Sequence, residues 1–136
     1  MPNVVKWQTG NLRALVENGS LNAGESMTVQ LDNVTNKDRY ADIQLTVNHN
    51  VAPAIGGVFT LWANPRVLGS ATDDTLGTPI GAFPINNATG TQTSITVKGV
   101  MLSPAMIDFT LRNDTNQNAV IGSVQLSALT YNEEIQ

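Results

Sequence analysis

The sequence predicts an all-β chain: a single β-sandwich, jelly-roll-like, of about eight strands. Three observations carry this. Apolar and polar residues alternate with period 2 over most of the chain, and turn-forming residues separate the alternating runs at short intervals. No segment carries a sustained i, i+3, i+4, i+7 apolar stripe with helix caps.

Taken in order, residues 1–10 precede the first turn signal and hold Val4, Val5 and Trp7. They read as an N-terminal arm or an edge strand, and residues 11–136 as the sandwich domain. A short apolar stretch over Leu12 to Val16 is the first sandwich strand, closed by the turn signal Asn18-Gly19. After Ala23-Gly24, Met27, Val29 and Leu31 alternate with Thr28, Gln30 and Asp32. The Asx-rich turn Asn33 to Asp38 leads into the clearest strand, in which Ala41, Ile43, Leu45 and Val47 share one face and Asp42, Gln44, Thr46 and Asn48 the other.

The stretch Ala54 to Gly57 turns the chain into Val58-Phe59-Thr60-Leu61-Trp62, which is apolar on both faces and therefore reads as a central, doubly covered strand with Trp62 in the core. A long loop follows over Asn64 to Thr78, then a strand over Pro79 to Ile85 and a turn over Asn86 to Thr91. Ile95 and Val97 alternate with Thr96 and Lys98 before Gly99. Beyond Ser103-Pro104, Ile107, Phe109 and Leu111 face inward, and after the loop Asn113 to Asn118 so do Val124, Leu126 and Ala128. The polar end, Asn132 to Gln136, is expected to fray.

The bulk composition bounds the function. A length of 136 residues fits one domain. The absence of cysteine removes disulfides, thiolate zinc sites and cysteine nucleophiles together. Charged residues make up 13% of the chain, about half the usual share, with Asn, Thr, Gly and Gln in their place. Such a surface suits close packing against other proteins, since few ions must be desolvated. Net charge is −4, and of the seven basic residues only Lys37 and Arg39 lie close together, with Asp38 between them. Phosphate binding needs clustered cations, so neither nucleic acid nor an anionic membrane is an expected partner. No run approaches the roughly 20 apolar residues that span a bilayer. Met1 to Gly10 lacks a basic start followed by an apolar stretch, so no secretory signal is expected.

Candidate chemistry is sparse. His49, the one histidine, follows a strand with no Gly-x-Ser-x-Gly elbow elsewhere, and reads as an exposed strand-end residue. A glycosidase pair needs two acids across a cleft, yet the carboxylates fall mostly at strand ends and on polar faces. Calcium could use the oxygens of Asp32 to Asp38 or of Asp73-Asp74, but neither follows the EF-hand order and Lys37 opposes a cation. Asn-x-Ser/Thr triplets at Asn18, Asn33, Asn87 and Asn113 occur at a chance level for this composition. No catalytic site, cofactor or metal is therefore expected.

From Tyr40 onward the chain resembles head decoration or cement proteins of tailed bacteriophages, which are of β-sandwich type. The similar stretches are Tyr40-Ala41-Asp42-Ile43-Gln44-Leu45, Ala52-Pro53-Ala54 with Phe59-Thr60-Leu61-Trp62, Ile80-Gly81-Ala82-Phe83-Pro84-Ile85, Val97-Lys98-Gly99-Val100-Met101-Leu102, Phe109-Thr110-Leu111-Arg112-Asn113-Asp114-Thr115 and Tyr131-Asn132-Glu133-Glu134. Two segments depart from the relatives. The loop over Asn64 to Gly77 lacks their aromatic residue, and Ser103-Pro104-Ala105 stands where they carry Pro-Pro-Gly. The resemblance implies a non-enzymatic virion protein, made in the host cytoplasm, that binds the outer capsid surface and cements neighbouring major-capsid subunits, often as a trimer. A tail, baseplate or fibre-attachment module, with glycan as a ligand, is the alternative. Under the first reading the interface residues are Val4, Val5, Trp7 and Trp62, since Trp is enriched among residues that dominate interface energetics.

Overall fold

The computed structural model describes residues 5–7, 10–66, 77–86 and 92–135. Ten strands lie among them: β1 (Val5–Trp7), β2 (Asn11–Gly19), β3 (Ser26–Asp32), β4 (Tyr40–Asn48), β5 (Val58–Pro65), β6 (Thr78–Pro84), β7 (Gln92–Met101), β8 (Met106–Asn113), β9 (Val124–Tyr131) and β10 (Glu133–Ile135). Eight of these form two four-stranded antiparallel sheets, β2-β9-β4-β7 and β3-β8-β5-β6. The pairs β2 with β9, β3 with β8, β4 with β7 and β5 with β6 are nested, outermost to innermost. The chain is thus one long hairpin, reversed at β5–β6 and wrapped over two sheets. This is the jelly-roll arrangement that the alternating pattern and short turns predict.

The core lies between the sheets. Ile43, Leu45 and Val47 are fully buried from β4, as are Phe59 and Leu61 from β5, Phe83 from β6, and Phe109 and Leu111 from β8. Truncating any of the three phenylalanines to alanine removes about 3–5 kcal/mol of stability.

Four sequence expectations need correction. Asn18-Gly19 belongs to its strand rather than following it: β2 includes both residues and ends at Gly19, which still pairs with Val124. The register slips between Ala14 and Val16 and again between Val16 and Gly19, and Asn18 takes φ +52° in the second slip. The dipeptide that signals a turn here supports a β-bulge, which also demands an unusual backbone angle.

Second, β5 is interior in its sheet but not covered on both faces. Phe59 and Leu61 face the core, whereas Val58, Thr60 and Trp62 are half-buried on the outer face. The strand also extends past Trp62 to Pro65, and most of the long loop anticipated after Asn64 lies outside the described residues.

Third, His49 is buried, not exposed, at 1% accessibility. It follows β4 directly and stands edge-on to Phe59 with ring centroids 6.1 Å apart. Burial pushes its pKa below the ordinary value. The Gln117 backbone offsets this only in part, without closing a hydrogen bond of normal geometry, and neither ring nitrogen has a partner.

The ends of the chain meet. β1 pairs with β10 in antiparallel register, Val5 opposite Ile135 and Trp7 opposite Glu133. The stretch anticipated to fray therefore holds a strand, and the N-terminal segment pairs with its own chain over these three residues.

Candidate functional site

Connections gather at the two ends of the sandwich, and a buried asparagine organises each end. At the end bearing β1 and β10, Asn33 donates from Nδ2 to the carbonyls of Asp38 and Ser103, both at 2.8 Å, and its Oδ1 accepts the Asp38 N–H at 2.9 Å. Asp38 in turn accepts from Thr130 Oγ1 at 2.6 Å and from Asn11 Nδ2 at 3.2 Å. The oxygens weighed as calcium ligands thus serve the turn itself.

At the opposite end, Asn113 donates to the carbonyls of Leu21 and Gln117 and accepts from the Thr115 N–H and hydroxyl. Asn33 and Asn113 are 1% and 0% exposed, so neither of these Asn-x-Thr triplets is open to glycosylation. Asn87 and Asp73-Asp74 lie outside the described residues.

The end organised by Asn113 carries a groove of about 490 Å³, lined by Asn22, Asn50 and the run 116–121 with Val51. Asn116 Oδ1 accepts the Ala54 N–H at 2.8 Å and Asn118 Oδ1 the Ala23 N–H at 2.9 Å. Those bonds fix both amides and leave their NH₂ groups as donors at the groove. Among the described residues no carboxylate, cation or histidine lines it. Val51, Ile55 and Ile121 stand exposed around it, the last two at 89% and 87%.

A second apolar cluster sits at the other end, on the outer face of β2-β9-β4-β7. Leu12 opposes Leu129 and Tyr40 opposes both Met101 and Tyr131. Leu12 and Met101 are 77% and 78% exposed, and the two tyrosine rings stack with centroids 5.8 Å apart. Arg39 lies over the Tyr40 ring and pairs with Glu133 at 3.0 Å. The apolar signal here was present in the sequence, but Leu12, Tyr40, Met101 and Leu129 are far apart along the chain and only strand pairing joins them.

Of the residues singled out from sequence, Val4 lies outside the described residues. Val5 and Trp7 fall on β1, whose partner Glu133 adjoins this second cluster. Trp62 lies on the other sheet, so the structure does not bring the two tryptophans onto one sheet. The Arg112 guanidinium stands 4.5 Å over the Trp62 ring. Arg112 also donates to Asp114 at 2.6 Å, and Thr60 donates to the same carboxylate. Desolvation raises the Asp114 pKa, but these two hydrogen bonds and the Arg112 charge outweigh it and hold the carboxyl below its ordinary value. Farther along that face Arg66 binds both carboxylate oxygens of the buried Asp108, at 3.2 and 3.1 Å.

No His, Cys, Asp and Glu side chains gather in a group of three that could hold a metal ion among the described residues. No helix among them is long and apolar enough to cross a membrane.

Fold and surface together define a jelly-roll β-sandwich with a groove lined by uncharged residues at one end and an apolar cluster at the other. No protein-family model matches the chain, and no curated protein matches it. A solved carbohydrate-binding module in complex with calcium and xylotriose is similar in structure, at 12% identity and a TM-score of 0.49 over the full length of both chains.

Proposed function

We propose that this chain is a structural virion protein of a tailed bacteriophage, which binds the outer capsid surface and ties neighbouring major-capsid subunits together. The observation that carries the reading is the placement of two exposed apolar clusters at opposite ends of a rigid sandwich. Val51, Ile55 and Ile121 stand at one end, and Leu12, Met101 and Leu129 at the other. A nine-residue strand such as β4 separates them, about 30 Å at about 3.3 Å per residue. A protein that cements others needs two contact surfaces held apart, and it needs no reactive group. The stretches that resemble phage decoration proteins support the same role.

In this reading the chain works as a homo-oligomer, a trimer by the resemblance, on the capsid exterior. It acts without catalysis or cofactor, and without nucleic-acid or membrane partners. A ligand that binds only the assembled shell stabilises it by mass action, and many copies make modest affinity sufficient. Heads lacking the protein should lose integrity at lower temperature than complete heads and recover on its addition. Equal robustness, with no rebinding, would overturn the role.

One observation favours the alternative of a tail, baseplate or fibre-attachment module that binds glycan. The groove offers fixed amide donors from Asn116 and Asn118, and sugar hydroxyls accept such bonds. Low copy number in particles, with glycan-array binding lost in Asn118→Ala, would select this reading over the first.

A further inference from the structure

We propose that the outer face of the sheet β2-β9-β4-β7 is the surface through which copies of this chain associate. The inference deepens the reading above by naming the partner of this face, a second copy of the chain.

The two outer faces differ in charge. On β8 and β5, the central strands of one sheet, the outward side carries Asp108 and Arg112, with Asp114 and Arg66 at the strand ends. On the other sheet, the central strands β4 and β9 carry one outward carboxylate, Asp42, and the edge strands β2 and β7 add the exposed Glu17 and Lys98, of opposite sign. The Asp42 carboxylate is engaged by the Tyr131 hydroxyl and the Gly99 N–H, both at 2.9 Å. A surface on which copies meet must not set many like charges against each other, and in a chain of net charge −4 this face carries only Asp42 and Glu17 as carboxylates, with Lys98 to offset them.

The face also has two zones that suit self-contact. Near the chain ends it is apolar, through Leu12, Leu129 and Met101 beside the stacked Tyr40 and Tyr131. Toward the loop end it carries cross-strand rows of hydroxyls and amides, with Gln44 bonded to Thr96 and Thr46 to Ser94. These groups donate and accept alike, so each can pair with polar groups of a neighbouring copy.

The size fits as well. Four strands about 4.8 Å apart and about 30 Å long give a footprint of roughly 550 Å². The accessible surface of a corrugated face exceeds its footprint, which brings it into the range of about 600–1,000 Å² per partner that specific complexes bury.

Sedimentation and light scattering on the purified chain test the assignment. Wild type should run as a multiple of one chain at micromolar concentration, and Leu12→Glu combined with Met101→Glu as a single chain. Both side chains lie outside the core, so circular dichroism and melting of the isolated chain should report an intact fold. Gln44→Arg, at the centre of the face, should also give single chains, whereas Ile121→Asp, at the far end, should leave the assembly unchanged. A monomeric wild type overturns the proposal, as does an assembly that survives both disruptive variants. A monomer that still binds stripped heads overturns this face and leaves the virion role standing. An assembly that never binds heads does the reverse.

Discussion

The Tyr131 hydroxyl donates to Asp42 Oδ1 at 2.9 Å, and that same oxygen accepts the Gly99 N–H at 2.9 Å. One carboxylate therefore ties β9, β4 and the edge strand β7 together on the face assigned to self-association. Gly99, at φ +68°, sits where the β4–β7 register slips between Ala41 and Ile43, and its left-handed backbone turns the N–H toward Asp42.

Removing this acceptor should cost more than removing one donor. Tyr131→Phe should lower stability to urea by about 1 kcal/mol, and Asp42→Ala by about 2–3 kcal/mol, because the latter strands two donors. Desolvation first, and then the Asp42 hydrogen bond and charge, raise the Tyr131 pKa. Alkaline absorbance titration should find one tyrosine ionising above the ordinary range, shifted downward in Asp42→Asn. An unchanged titration would show that the carboxylate does not hold the phenol.

The buried His49 gives the fold an acid sensitivity with a definite sign. The unfolded chain takes up the His49 proton near pH 6.5, while the folded chain resists it because burial lowers the pKa. The unfolded state binds more protons in that window, so stability falls as pH drops below about 6.5 and is fully present above it. Melting temperatures measured from pH 7.5 to 5 should show the decline. His49→Leu should flatten it, since the substitution also removes two unpartnered nitrogens. A decline of equal slope in the variant would assign the sensitivity to other groups.

Asn113 and Asn33 should be the most costly polar substitutions at their respective ends. Each is buried and makes at least three hydrogen bonds to the main chain or to a buried hydroxyl. Truncation to alanine leaves several of those groups without partners, at about 2–4 kcal/mol in all. Hydrogen exchange should separate the two: Asn113→Ala loosens the amides of residues 114–120, and Asn33→Ala those of residues 33–39. Global loss of protection with no local pattern would contradict the division of labour.

Much of this fold is legible in the sequence, because a sheet with one buried face writes itself as alternation. The run from Ala41 to Val47 shows every inward position correctly, as does the run from Val124 to Ala128. The misreadings have one physical cause, which is that local chemistry has more than one use. Asn18-Gly19 supplies a positive φ, but a bulge needs one as much as a turn does. The outward apolar residues of β5 suggested a covered strand, although an arginine two strand positions from Asp114 covers Trp62 instead. His49 looked like a polar strand end, and its burial depends on Phe59 and the loop at Gln117, which lie 10 and 68 residues downstream. The exposed cluster at the chain-end side is hard to read from sequence for a different reason: it is assembled from β2, β4, β7 and β9, which only long-range pairing brings together.

A reconstruction of the virion tests the proposed role most directly. Copies of this jelly roll should sit on the outside of the head at junctions between major-capsid subunits, joined to one another through the β2-β9-β4-β7 face, with Val51, Ile55 and Ile121 against the shell. Density confined to the tail or baseplate, or its absence from the particle, would contradict the cementing role.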